Sequence, residues 1–140
     1  MQNIFKNYEI DIRMLKKGNY ILQLKTKNAI ESFGSDLIIP PYLLGCWLGD
    51  GSSYKAEFTT MDDFISDAFF KVYEEGQRTH QNSGKAYTFG IKSNFIKILR
   101  EYNLIGNKHI PDSYLFSSVS ERLELLQGLM DTDGTCNKKN

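Results

Sequence analysis

Two aspartates, Asp50 and Asp133, close two similar stretches of the sequence and could together bind a divalent metal ion. The stretches, residues 43–52 and 126–135, lie 83 residues apart and share Leu, Gly, Asp and Gly at matching places. Each is predicted to be a helix that ends at its Asp-Gly step, where the helix dipole disfavours an acid by about 0.3–1 kcal/mol. Two such acids side by side would also repel each other. Bound Mg²⁺ would remove this conflict, because it is typically held by one or two carboxylates with waters and phosphate oxygens.

Small residues in both stretches are spaced so that the two helices can pack closely. Gly45 and Gly49 lie on one helical face, and Gly128 and Thr132 hold the matching positions of the second helix. Small residues at this spacing let two helix backbones approach. If the helices pair through these faces, their ends lie side by side and the two aspartates become neighbours. A metal ion there would polarise a phosphodiester and activate water for in-line attack. The alternative is that each Asp-Gly step is an ordinary turn signal.

The residues between the two stretches alternate in a pattern that predicts an α+β unit with helices on one face of an antiparallel sheet. The first motif helix opens at Pro40-Pro41, and the second opens at Ser118, which begins a Ser-x-x-Glu capping box. Between them we predict a strand at 54–60, a helix at 62–75, a hairpin with strands at 77–81 and 85–92, and a helix at 95–102. Gly51 and Gly134 are predicted to close the motif helices in the left-handed conformation.

Three segments are predicted along the chain. Residues 1–40 indicate a β-containing extension, residues 41–117 form a first half-domain, and residues 118–140 hold the second motif helix. Because the sequence stops soon after the second motif, we expect a fragment of a longer protein whose second half-domain has only begun.

The composition is typical of one globular domain, with 41% hydrophobic and 13% aromatic residues. No apolar run approaches the roughly 18–20 residues needed to cross a bilayer, and no leader segment is evident, so no membrane partner is expected. Two isolated cysteines, Cys46 and Cys136, fit a reducing cytosol and predict a cytoplasmic protein. The net charge is zero, so an argument for nucleic-acid binding must rest on how the charges are distributed.

The two motifs resemble the paired dodecapeptide motifs of LAGLIDADG homing endonucleases, and their surroundings resemble the endonuclease domain of inteins. The resemblance covers roughly residues 40–136 and rests on Leu43 to Gly51, Leu126 to Gly134, Tyr42, Ser52-Ser53, His109-Ile110-Pro111, Tyr114-Leu115-Phe116 and Arg122-Leu123. It implies an αββαββα half-domain, paired motif helices and Mg²⁺-dependent double-strand cleavage of a long DNA site. It also implies that Asp50 and Asp133 are the catalytic metal ligands, with Leu48 and Asp131 at an earlier acidic place that we do not expect to be catalytic.

The resemblance also implies that the solvent face of the sheet contacts DNA. The predicted DNA-binding residues are Ser53, Lys55, Thr59, Arg78, His80, Thr88 and Lys92. Lys92 is additionally a candidate cationic stabiliser of the reaction. The alternative is an ordinary solvated strand face, and Glu57 on the same face weakens the case for DNA.

Other functions remain open at this point. The fragment is expected to be inactive alone, because the second sheet is missing, unless it forms a homodimer through the motif helices. Intein splicing by the fragment is not expected. Rival interpretations are a non-catalytic DNA- or RNA-binding module such as a regulator or maturase, a degenerate endonuclease carried in an intein, and a plain interaction domain.

Overall fold

Helices and antiparallel strands alternate along the part of the chain that the computed structural model describes, residues 36–80, 84–92 and 94–133. Within these ranges the elements are α1 Pro41–Asp50, β1 Glu57–Thr60, α2 Asp63–Phe70, β2 Glu75–His80, β3 Tyr87–Ile91, α3 Phe95–Glu101, α4 Asp112–Leu115 and α5 Val119–Asp133. The strands form one antiparallel sheet in the order β1-β3-β2. Most of the predicted extension, the tip of the hairpin and Gly134 lie outside the described residues. The predicted division at residues 40 and 117 stays a prediction.

The core lies between the helices and one face of this sheet. Phe58 of β1 pairs with Phe89 of β3, and their rings stack with centroids 5.3 Å apart. Phe69 of α2 stacks on Phe58 at 4.2 Å, while Trp47 of α1 and Phe95 of α3 are fully buried in edge-to-face contact. The arrangement is consistent with the predicted α+β class, and contacts between aromatic rings join the helices to the sheet.

The predicted αββαββα order is not reproduced within the described residues, because a single strand separates α1 from α2. Where a further strand was expected, Gly51 forms an isolated antiparallel bridge to Phe58, and the N–H of Ser52 donates to the carbonyl of Glu57 at 2.8 Å. An isolated bridge therefore stands between α1 and β1 where the second strand was expected.

The expected left-handed conformation of Gly51 is wrong. Its φ is −73° and its ψ is 153°, which is extended backbone. A glycine is nevertheless required here, because a Cβ atom would collide with the carbonyl oxygen of Trp47 and would lie 2.6 Å from Cγ of its indole ring. The glycine therefore permits a close approach to Trp47 and does not close a left-handed turn.

Helix α2 ends five residues earlier than predicted. The N–H groups of Val72 and Tyr73 both donate to the carbonyl of Phe69, at 3.1 and 2.8 Å, and turn the chain toward β2. Tyr73 then packs its ring against Phe95 at 4.9 Å, and Val72 is 53% exposed. The packing of Tyr73 against Phe95 therefore takes the place of the last turn of α2 that the periodicity predicted.

The start of α5 is confirmed as a capping box. The N–H of Ser118 donates to Oε2 of Glu121 at 2.8 Å, and the N–H of Glu121 donates to Oγ of Ser118 at 3.3 Å. Helix α4 was not predicted; it buries Tyr114, whose hydroxyl donates to the carbonyl of Ile39 at 2.7 Å. In the described ranges no helix is both long and apolar enough to cross a membrane.

Candidate active site and nucleic-acid interface

Helices α1 and α5 are in backbone contact through the small residues of the two motifs. A Cβ atom on Gly45 would collide with the carbonyl oxygen of Leu125, and one on Gly128 would collide with the carbonyl oxygen of Tyr42. The α carbon of Gly128 would lie only 3.0 Å from the Cβ position of Gly45. The structure thus places Gly45 and Gly128 where the spacing of small residues predicts a close helix pair.

One turn further along, Gly49 faces Thr132. The Thr132 hydroxyl donates to the carbonyls of Gly128 and Leu129, at 3.0 and 3.2 Å, so its polar group is satisfied within its own helix. A Cβ atom on Gly49 would collide with Oγ1 of Thr132 and would lie 3.6 Å from the carboxyl carbon of Asp133. The two helices therefore run side by side in the same direction, and their C-terminal ends meet.

The carboxylates at these ends influence each other. Burial raises the pKa of Asp50 above its usual range, the negative charge of Asp133 raises it further, and the ammonium of Lys108 opposes the rise. Because like charges repel and water is partly excluded, the ionised form of Asp50 is disfavoured in this fold. Such a perturbed acid in a groove is a functional-site candidate.

Lys108 is a site residue that the sequence analysis missed. Its Nζ atom donates to the main-chain carbonyls of Leu48 and Gly51, at 3.1 and 2.5 Å, and lies 5.0 Å from the centre of the Trp47 ring. These bonds satisfy carbonyls that the end of α1 leaves without helical partners. Burial lowers the pKa of Lys108, although Asp133 and Asp50 both act to raise it. No local spacing links this lysine to the motifs; its only sequence signal is its place directly before His109-Ile110-Pro111.

Replacing Lys108 by glutamine is expected to raise the pKa of Asp50 further, because the opposing positive charge is lost. The loss of stability in this variant should grow as pH rises through the Asp50 pKa, since only the ionised carboxylate is attracted by the lysine. Side-chain carboxyl NMR titration of the variant and of Lys97→Gln, an exposed lysine on α3, measures the difference. An unchanged Asp50 pKa in Lys108→Gln would contradict this account.

The donor set at the helix ends fits Mg²⁺. Within residues 36–80, 84–92 and 94–133 no group of three or more His, Cys, Asp or Glu is placed to hold a metal ion. Two hard carboxylate oxygens on neighbouring helix ends match the one or two protein ligands that Mg²⁺ usually takes. A cation would also relieve the charge conflict that raises the pKa of Asp50.

Asp131, at the earlier acidic position of the second motif, accepts a hydrogen bond from α1. The Tyr42 hydroxyl of α1 donates to Oδ2 of Asp131 at 2.9 Å, and burial together with this bond raises the pKa of Tyr42. Asp131 therefore links α5 to α1, whereas its counterpart Leu48 packs against the core. The expectation that this position is not catalytic stays a prediction.

Lys92 does not reach the two carboxylates. It forms an ion pair with Glu74 at 3.0 Å and is absent from the lining of the groove that contains Asp50. Its predicted role as a cationic stabiliser is therefore not supported by its position at the far end of β3, where its N–H also donates to the carbonyl of Glu74.

A groove of about 490 Å³ runs from Asp50 across the face of the sheet that carries no helices. Thr59 pairs with Thr88, and Thr88 pairs with Thr79, so one row of hydroxyls crosses all three strands on this open face. Lys55, Thr59 and Thr88 line the groove as predicted DNA-facing residues, while Ser52 lines it in place of Ser53. The open face is thus continuous with Asp50.

Arg78 and His80 do not lie on this open face, which corrects their predicted placement. Arg78 pairs with Phe89, and its guanidinium lies 4.4 Å from the Tyr87 ring centre and 4.8 Å from that of Phe89. His80 pairs with Tyr87 at a ring distance of 4.8 Å. The irregular register between Glu75 and Arg78 determines which side chains of β2 lie on which face of the sheet. As a result, Gln77 and Thr79 line the groove, and Arg78 and His80 do not.

Comparison with known proteins gives one informative relationship. No protein-family model matches the chain. The replicative DNA helicase DnaB of Mycobacterium intracellulare is 39% identical over 107 residues. The match covers 76% of this chain and 16% of that relative, so the chain spans less than a fifth of the relative's length.

Proposed function

We propose that the chain is part of an intein-associated LAGLIDADG homing endonuclease that cleaves duplex DNA with the help of Mg²⁺. The observation that carries the proposal is the meeting of Asp50 and Asp133 at the ends of two paired helices, beside a groove that opens onto a free sheet face. Duplex cleavage needs carboxylates next to a surface that can hold DNA, and two carboxylates beside an open sheet face support this proposal.

We propose a separate role for each group of residues at the site. Asp50 and Asp133 would hold the ion, which when bound polarises the scissile phosphodiester and activates water. Lys108 fixes the end of α1 through its two carbonyl contacts and offsets part of the negative charge. The hydroxyls and Lys55 of the open face offer donors and a cation to the nucleic acid.

The outer face of α5 supports a longer parent protein. Leu126 and Met130 are 51% and 50% exposed, whereas Leu43 and Trp47, their counterparts 83 residues earlier, are 3% and 0% exposed against the first sheet. Half-exposed apolar side chains at positions that are buried in the first copy fit a second sheet packed on α5. The described residues form a single sheet, and we propose that the 140-residue chain is inactive alone.

The helicase relationship fits an inserted domain. The sequence contains no G-x-x-x-x-G-K-[ST] loop of the kind that binds nucleotide phosphates in ATP-driven motors. We propose that this chain corresponds to an intein-type insertion in a protein of this kind. We propose a cytoplasmic location for a protein with this role.

A non-catalytic DNA- or RNA-binding module is the second candidate, because Lys108 lies close enough to interact with both carboxylates. A lysine that balances the acids would let them serve the fold without a metal ion. The zero net charge and Glu57 in the groove are compatible with a weak binder of this type.

The decisive experiment uses the full-length protein that carries this chain. A supercoiled plasmid with a helicase gene from which the proposed insertion has been removed is incubated with Mg²⁺ or with EDTA, and the same gene with the insertion is the control. We expect linearisation at one site, only with Mg²⁺ and only in the uninterrupted gene. Binding without cleavage would favour the non-catalytic module, and neither binding nor cleavage would overturn both proposals.

A further inference from the structure

The hydroxyl of Tyr114 holds the chain at the point where it enters α1. The hydroxyl accepts a hydrogen bond from the N–H of Ile39 at 3.1 Å and donates to the carbonyl of the same residue at 2.7 Å. Tyr114 is 1% exposed and Ile39 is 0% exposed, so both bonds lie in the core. Burial raises the pKa of Tyr114, so the hydroxyl keeps the proton that it donates. Because α1 begins at Pro41, one buried hydroxyl fixes the start of this helix.

Tyr114 is also tied to the start of α5. The Oγ atom of Ser117, a buried residue, donates to the main-chain carbonyl of Tyr114 at 2.8 Å. The next residue, Ser118, is the first member of the capping box that begins α5. Tyr114 therefore joins the N-terminal ends of the two helices whose C-terminal ends carry Asp50 and Asp133.

The backbones of α1 and α5 touch between these two ends, at Gly45 and Gly128. Pro41 is four residues before Gly45 and Asp50 is five residues after it, which places them about 6 Å and about 7.5 Å along the helix axis from the contact. If α1 tilts about this contact, a shift of its first turn is matched by a shift of similar size, in the opposite direction, at Asp50. A change at the start of α1 is thereby transmitted to its carboxylate.

We propose that Tyr114 is a positioning residue for the carboxylate pair, because its hydroxyl fixes the tilt of α1 on α5 and so keeps Asp50 beside Asp133. For its effect on cleavage, the inference rests on the proposed function. Tyr114→Phe keeps the ring, which packs against Tyr102 at 5.7 Å, but leaves the buried N–H and carbonyl of Ile39 without the hydroxyl. A buried polar group that loses its partner is costly, so this segment is expected to move toward water and to tilt α1.

The first test measures the helix pair by NMR in the 140-residue chain, without DNA or divalent ions. Thr132 lies against Gly49, so a nuclear Overhauser cross-peak is expected in the wild type between the Gly49 α protons and the Thr132 side chain. Tyr114→Phe should weaken this cross-peak, while the cross-peak between the stacked rings of Phe58 and Phe89 stays unchanged and shows that the sheet is intact. An unchanged Gly49–Thr132 cross-peak in Tyr114→Phe would overturn the inference.

A milder variant covers the case in which Tyr114→Phe does not fold. Ser117→Ala removes the bond to the main-chain carbonyl of Tyr114 and so loosens the same joint from the α5 side. It should weaken the Gly49–Thr132 cross-peak to a smaller extent, and a wild-type cross-peak in this variant would then count against the inference.

The second test measures plasmid linearisation by the full-length protein at saturating Mg²⁺. Tyr114→Phe is expected to lower the rate by about a hundred-fold, the loss that a misplacement of about 1 Å can produce, and to leave duplex binding unchanged. Ser66→Ala is the control, because it removes a hydroxyl bond of a buried serine within α2, from Oγ to the carbonyl of Asp63 at 3.0 Å. Equal losses in Tyr114→Phe and Ser66→Ala would mean that Tyr114 serves only the general stability of the fold.

The outcomes separate this inference from the proposed function. If the wild type does not cleave while Tyr114→Phe weakens the Gly49–Thr132 cross-peak, the proposed function fails and the positioning role of Tyr114 stands. If the wild type cleaves and Tyr114→Phe changes neither the cross-peak nor the rate, the positioning role fails and the proposed function stands.

Discussion

Replacing Asp50 by asparagine is expected to abolish DNA cleavage and to make the protein more stable at neutral pH when no divalent ion is present. Burial and the charge of Asp133 raise the pKa of Asp50 in the folded state. When the pKa of an acid is higher in the folded than in the unfolded state, the protein loses stability as pH rises between the two values. The reason is that ionising the acid costs more free energy in the folded state. Asparagine cannot ionise, so Asp50→Asn removes this cost in free energy at neutral pH. At a pH below both the folded and the unfolded pKa of Asp50, the substitution should not raise the stability.

The loss of cleavage should be large. A catalytic metal ion contributes several kcal/mol to the transition state, and each 1.4 kcal/mol is a factor of ten, so we expect about a thousand-fold loss or more in Asp50→Asn and in Asp133→Asn. Linearisation rates of the target plasmid with saturating Mg²⁺ measure this loss in the full-length protein. Duplex binding should change by only a few-fold, since neither carboxylate is proposed to contact bases.

Asp131→Asn is the matched control, because it removes a neighbouring carboxylate from the same helix. The amide oxygen of asparagine can still accept the bond from Tyr42, so cleavage should persist. Retained cleavage in both Asp50→Asn and Asp133→Asn would reject the nuclease assignment. A lower stability of Asp50→Asn at neutral pH would instead indicate that the charge attraction to Lys108 dominates and that the acid is structural.

Local sequence signals predict the elements that carry the site. The capping box at Ser118 and the Pro40-Pro41 pair at the start of α1 locate both motif helices, since each signal acts within one helical turn. The small residues of both helices predict the contact at Gly45 and Gly128, because the absence of a side chain is visible in the sequence. These short-range signals therefore predict where the two helices of the site lie along the sequence.

Long-range features are not predicted in the same way. Lys108 reaches the end of α1 from a position 57 residues beyond Gly51, and no periodicity connects the two. The face of β2 depends on an irregular register, so Arg78 points to the aromatic side although its residue type is well suited to DNA. Contacts that tertiary packing creates need the folded chain before they can be seen.

Replacing Gly128 by alanine should destabilise the 140-residue chain, although the same change in an isolated helix would stabilise it. Alanine gains about 0.8–1.0 kcal/mol over glycine in a helix interior. Here the added Cβ atom would collide with the carbonyl oxygen of Tyr42 and lie 2.8 Å from the main-chain nitrogen of Cys46, so the backbones must move apart. Overpacking of this kind typically costs about 1–3 kcal/mol, which outweighs the gain.

The sign of the change in the free energy of unfolding tests whether α1 and α5 are in contact. Urea unfolding of Gly128→Ala should give a lower free energy of unfolding than the wild type, whereas Gly84→Ala, whose Cβ would meet no atom within 4 Å, should change it by less than about 0.5 kcal/mol. A more stable Gly128→Ala would mean that α1 and α5 are apart. If they are in contact, separating them also moves Asp133 away from Asp50, so the pKa of Asp50 in the variant should fall toward its usual value.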